Sequence, residues 1–125
     1  MINDLSNSLA DRMVNLSPEV RAFCEENSRK IAGEPPRFQT MADAWVFAVL
    51  EGMKSGQKFE GELKRTKDAF RWRLVKGDFQ EALLLRALLE QDFDEKFVQY
   101  IQDQPSSFLE YLERVAHQGA LILRN

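Results

Sequence analysis

Seven consecutive residues between Ala44 and Leu50 are apolar: Ala44, Trp45, Val46, Phe47, Ala48, Val49 and Leu50. A helix that is apolar on all sides has to be covered on all sides, so a chain with this run must build its other elements around it. The run is too short to cross a bilayer, which takes about 20 apolar residues. Thr40 has the chemistry of an N-cap, and Asp43 sits favourably near the positive end of a helix starting there. Ser55-Gly56 closes the segment. The expectation is a central helix from Met41 to Lys54, with Trp45 and Phe47 both buried.

The flanking chain reads as further helices. Leu5, Leu9 and Met13 within Asn3 to Asn15, with Leu16 just beyond, recur at near-helical spacing, which predicts a first, peripheral helix. Ser17-Pro18-Glu19 is a helix start, with Ser17 as cap and Pro18 where its missing N–H costs nothing. That helix carries Val20, Phe23, Cys24 and Ile31 on its apolar stripe, and Gly33 is placed to stop it. Glu34-Pro35-Pro36-Arg37 is stiff and extended, because a residue before proline is pushed out of the helical region. It divides an N-terminal arm (1–34) from a main body (38–125) within one domain (1–125). Asp78 and Glu81 form a capping-box pattern ahead of Phe79, Ala82, Leu83, Leu84, Leu85, Ala87, Leu88 and Leu89. This reads as a second heavily buried helix whose partner is the central one. Asp92 to Glu95 breaks it, and Asp94 caps a shorter helix with Phe97, Val98 and Ile101. After Pro105, Phe108, Leu112, Val115 and Ala116 mark one face of a last long helix. Gly119 reads as its stop, followed by an apolar tail, Ala120 to Leu123.

The charge is distributed unevenly. From Lys58 to Lys76 seven basic residues stand against three acidic ones, +4, whereas residues 1–57 (six against eight) come to −2 and residues 77–125 (four against nine) to −5. Within the basic segment Phe70, Trp72 and Leu74 alternate with Arg71 and Arg73, which is strand periodicity with a buried and a solvated face. Phe59 and Leu63 are the weaker candidates for a partner strand. The fold class read from this pattern is mainly α: a single-domain bundle of five or six helices with a small β hairpin or extended segment around residues 58–76. The 125 residues, 44% hydrophobic and 30% charged, suit one globular core and not a disordered chain.

The chemistry open to the chain is narrow. Cys24 is its one cysteine and His117 its one histidine, so an intramolecular disulfide is excluded. A zinc site would need both plus carboxylates, without ligand spacing between them. No cofactor or metal is expected, and with a single histidine most acid–base schemes are closed. Glu62-Leu63-Lys64 is an E-x-K, half of a metal-dependent nuclease signature, with Glu60 or Asp43 as a conceivable upstream acid. Such carboxylates must meet at adjacent strand ends to share a magnesium ion, and no central sheet is in view. The cluster Asp92-Phe93-Asp94-Glu95 lacks the glycine and the distal glutamate of a calcium loop. The N-terminus has neither the basic start nor the apolar run of a secretory signal, so the expected location is the cytoplasm, without a membrane.

Phe38-x-Thr40-Met41-x-Asp43, then Val46-Phe47-Ala48, Glu51-Gly52 and Lys54-x-Gly56-x-Lys58, resembles the core signature of small proteins associated with Dnd-type DNA phosphorothioation systems. Ala69-Phe70-Arg71-Trp72 is similar to their isoleucine-arginine-tryptophan strand, and Glu110-Tyr111 with Gly119-Ala120-Leu121-Ile122-Leu123 is similar to their glycine-leucine ending. The similarity runs from Phe38 onward; the family's paired glycines are here Gly119 and Ala120. It implies a bacterial anti-phage defence or DNA-modification neighbourhood. The expected function is a non-catalytic accessory protein that binds a protein component of such a complex, or DNA, with a small metal-dependent nuclease or other enzyme as the rival class and self-association left open. The expected contact surface is Lys58, Lys64, Arg65, Lys67, Arg71, Trp72 and Arg73, where cations could neutralise phosphates or an acidic protein face.

Overall fold

A computed structural model describes residues 2–29, 33–67 and 69–125. Ile31, expected on the second helical stripe, and Asp68, one of the three acids of the basic segment, lie outside the described residues. The elements follow in the order α1 (Ile2–Leu9), β1 (Met13–Asn15), α2 (Pro18–Ser28), α3 (Met41–Ser55), β2 (Ala69–Arg71), a 3-10 turn (Trp72–Leu74), α4 (Gly77–Glu90), α5 (Glu95–Asp103) and α6 (Pro105–Arg124). The chain is mainly helical, as its periodicity predicts, with a small antiparallel pair of strands.

Helix α3 carries the apolar run. Thr40 Oγ1 accepts the Asp43 amide at 3.1 Å, and Gly56 ends the helix in the left-handed region at φ 73°. Its main partner is α6. The helices run antiparallel with their backbones in contact, since a Cβ on Gly52 would strike the Val115 carbonyl oxygen and one on Gly119 the Ala48 carbonyl oxygen. Gly119 therefore does not stop the last helix. It sits inside α6, which continues through the apolar tail to Arg124. Trp45 is fully buried, edge-on to Trp72 with centroids 6.5 Å apart. Phe47 is half-buried and Leu50 is exposed, so one side of the all-apolar run is left partly open.

The N-terminal arm is part of the core. Leu5, Leu9, Val14, Leu16, Val20, Phe23 and Cys24 belong to the same buried cluster as α3 and α6. Helix α1 lies mainly on α4 and is not peripheral, and α4 accordingly packs more on α1 than on α3. The first helical stripe ends at Leu9, because Met13, Val14 and Asn15 leave it to pair with Arg71, Phe70 and Ala69. The partner of β2 is thus this arm, and Phe59 and Leu63 form no strand. Backbone around Phe59 is tied to α6 instead: its N–H donates to the Arg114 carbonyl at 3.2 Å, and Arg114 Nη1 donates to the Phe59 and Gly61 carbonyls at 3.1 and 2.8 Å.

Ser17 caps α2, accepting the Val20 amide at 3.3 Å, with Pro18 in the first turn. That helix stops at Ser28, ahead of Gly33. Asp94 caps α5 through the Lys96 amide at 2.8 Å. The capping box at α4 is not made: the helix begins at Gly77 with Lys76 at the cap and no side-chain bond there, which puts Asp78 inside the first turn.

Candidate functional site

The basic segment runs from the C-terminal end of α3, across α6, to the edge of the small sheet. Lys58 Nζ stands 5.7 Å above the Tyr111 ring. Arg65 approaches Glu113 at 3.9 Å. Arg71 Nη1 donates to the Asp11 carbonyl at 3.1 Å, and Arg73 pairs with the Asp11 carboxylate at 2.8 Å. Lys64 and Lys67 are exposed and hold no partner among the described residues. Trp72 departs from the expected surface: it is fully buried and cannot face a partner. The 3-10 turn after Arg71 breaks the two-residue alternation, turning Leu74 out to 64% exposure and Val75 inward.

Two polar residues that the sequence reading left unassigned interrupt the apolar face of α6. Glu113 and His117 lie four apart, on the same side as Leu109, Leu112, Ala116 and Ala120. Glu113 is 4% exposed; its Oε2 accepts the Asn15 amide at 3.1 Å, while Oε1 has no hydrogen-bond partner. Burial pushes this carboxyl above the usual range, against the opposing pull of the Asn15 amide and the Arg65 guanidinium. His117 is 5% exposed, with Nδ1 2.8 Å from Ser17 Oγ and 3.7 Å from Glu19, and its ring lies against Phe59 at 4.2 Å. Burial lowers its pKa; Glu19 works upward and Arg114 further down. Ser17 Oγ already accepts the Val20 amide, so its proton is free for His117 Nδ1. The group joins α2, α6 and the loop at Phe59. Beside it a polar hollow of about 360 Å³ opens between β1 and α6, lined by Arg12, Asn15, Arg65, Ser106 and Glu113.

The nuclease candidates do not converge. Asp43, at the start of α3, is 6% exposed and pairs with Lys76 at 3.5 Å. Glu60 lines a cleft at the other end of α3 with Lys58, Glu90 and Tyr111, and 15 helical residues span about 20 Å. Glu62 and Lys64 are exposed on irregular backbone. No group of three metal-ligating side chains meets among the described residues. Asp92-Phe93-Asp94-Glu95 forms the α4–α5 turn, with Asp94 spent on its cap.

Two further surfaces are apolar. Phe38, Val46, Phe47, Leu50 and Phe79 line a groove of about 290 Å³, where Arg37 covers the Phe38 and Phe47 rings at 5.6 and 5.3 Å. On α4, Leu85 is 40% and Leu89 59% exposed, and Phe93 just beyond is 46% exposed. Both leucines belong to the apolar set from which the sequence predicts a heavily buried helix, and both are instead exposed. No helix among the described residues is long and apolar enough to cross a membrane. Compared with protein-family models, curated proteins and solved structures, the chain matches none of them.

Proposed function

We propose that the chain is a non-catalytic accessory protein that binds a protein partner in a cytoplasmic bacterial defence or DNA-modification system of the phosphorothioation type. The observation that carries the protein-binding reading is the set of large apolar side chains left in water on and just beyond α4: Leu85, Leu89 and Phe93 at 40, 59 and 46% exposure. Exposed apolar surface of this kind marks interaction sites. The resemblance supports the setting, and its signature residues have definite work in the fold. Thr40 caps α3, Gly56 ends it, and Gly52 admits α6.

DNA is the second reading, favoured by Lys64 and Lys67, which lie exposed beside Arg65. The pairs of Arg65 with Glu113 and Arg73 with Asp11 leave both guanidiniums more than half exposed. The Arg73–Asp11 pair, exposed on both sides, holds by about 0–1 kcal/mol, so a phosphate could replace that carboxylate, whereas the Glu113 carboxylate opposite Arg65 is buried. In this reading Lys58, Arg71 and Arg73 extend the same contact.

The test is co-expression with the proteins of a phosphorothioation locus. Co-elution supports the accessory role, and elution of the chain by itself at every salt concentration overturns it. Neutralising Lys64, Arg65 and Lys67 decides between partners. A DNA contact loses affinity on all sequences, and its salt dependence flattens by about one phosphate per charge removed. Duplex binding equal to that of the unaltered chain at every salt concentration removes the DNA reading.

A further inference from the structure

We infer that the outer face of α4 is a docking seam for an amphipathic helix that carries basic residues along its flanks. The inference rests on the protein-binding reading above and names the partner's chemistry. Ala82, Leu85 and Leu89 follow one another at intervals of three and four residues, the spacing that lines one side of a helix in a heptad seam. The core is served by other positions, Leu83, Leu84, Ala87 and Leu88, while all three seam residues are exposed. Phe93, just past the end of α4, is a further large apolar side chain left exposed. It is held in a tight turn with Asp92 and Phe93 at φ 53° and 55°, and its N–H donates to the Leu88 carbonyl at 2.8 Å. Within α4 the seam rises about 10 Å from Ala82 to Leu89, matching two turns of a partner helix.

Charge selects the occupant. Asp78 heads the seam four residues before Ala82, Glu81 borders it, and Asp92, Asp94 and Glu95 crown its C-terminal end, all of them exposed, with Lys96 the one cation beside them. The one cation on α4, Arg86, is already bonded to Glu90 at 3.3 Å. A second copy docked through this face would set acid against acid, and a nucleic acid would be repelled. A helix with apolar residues at heptad spacing and Lys or Arg beside them satisfies both the seam and its border.

The probe is a synthetic helix of about three heptads with leucine at the seam positions and lysine at the flanks, and its twin with glutamate at the flanks. Fluorescence anisotropy with the full chain is expected to show the lysine peptide binding at least tenfold more tightly than the glutamate twin. Leu85→Ser with Leu89→Ser should weaken the lysine peptide at least tenfold with the melting temperature nearly unchanged, and Leu74→Ser should leave its binding unaltered. Asp78→Lys with Glu81→Lys should invert the preference between the two peptides, which keeps the test valid should the serine variant misfold. Equal binding of both peptides, or undiminished binding by the folded serine variant, overturns the seam. So does a dimer in sedimentation velocity that the serine substitutions abolish, because the occupant is then a second copy. Failure of the peptide alongside continued co-elution with locus proteins removes the seam and keeps the accessory role. Peptide binding without co-elution keeps the seam and removes that setting.

Discussion

Gly119→Ala sets two physical effects of opposite sign against each other. In the middle of a helix, alanine is favoured over glycine by about 1 kcal/mol, because glycine loses more backbone freedom on folding. At Gly119 the added methyl would meet the backbone of α3: it overlaps the Ala48 carbonyl oxygen and lies 2.7 Å from the carbonyl carbon. Ordinary contact begins near 3.4 Å, so the two helices have to separate. The obstacle is main chain, with no rotamer to swing aside, and overpacking of this kind costs about 3 kcal/mol, the upper part of its usual range. Subtracting the propensity gain leaves a net loss of about 2 kcal/mol. For a chain of this length that is a fall in melting temperature of about 8 °C. Thermal unfolding followed by circular dichroism measures it, with Gly77→Ala as the control, where nothing lies within 4 Å of the new methyl. The control should melt at or slightly above the unaltered chain. A Gly119→Ala protein as stable as that control would refute the close α3–α6 contact and the reasoning with it.

Trp45→Ala should destabilise by about 3–5 kcal/mol in urea titration, since the side chain is fully buried against Trp72 and Phe70. Glu113 has its folded pKa raised above 4.5, so its protonation stabilises the fold fully below that value and the contribution is lost as pH rises through the folded value. Glu113→Gln should therefore stabilise at pH 7, with the advantage shrinking toward pH 4; a constant difference across that range would contradict the buried carboxylate. Burial pushes the Cys24 thiol up to about 12, so iodoacetamide at pH 8 should label it only after denaturant is added. Rapid labelling of the folded chain would show that α2 does not cover it.

The signals that sequence carried well are those completed within one turn of chain. Thr40, Ser17 and Asp94 each cap an amide two or three residues away, so their partners are visible in the same short window. Gly119 is ambiguous for the opposite reason. A glycine near the end of an apolar stripe has the same look whether it ends a helix or admits a second one, and the deciding atom belongs to Ala48 on another element. The pairing of Val14 with Phe70 joins segments far apart in the chain, and neither segment is long enough to announce a strand. Glu113 and His117 were more legible than they looked. Both break an otherwise apolar stripe between Leu109 and Ala120, and a polar residue on a buried face has to find a partner or shift its pKa.

The same reasoning explains why the cations stand out in the sequence as a contact surface and the outer face of α4 does not. A run of basic residues is conspicuous in a list of charges, whereas Leu83 to Leu89, apolar at every position but Arg86, reads as uniformly buried because so many apolar residues in succession leave the phase undefined. Only packing assigns the phase: α1 and α3 take Leu83, Leu84, Ala87 and Leu88, and the geometry of the helix then forces Leu85 and Leu89 outward. Leu50 and Phe47 stand in the same relation to α6, which covers one side of α3 and leaves them beside Phe38 and Phe79. Places where local pattern and global packing disagree are where functional surfaces are expected, since folding by itself would favour a polar residue there. On α4 that conflict coincides with an acidic border, and the coincidence makes the seam a surface with a partner of definite charge.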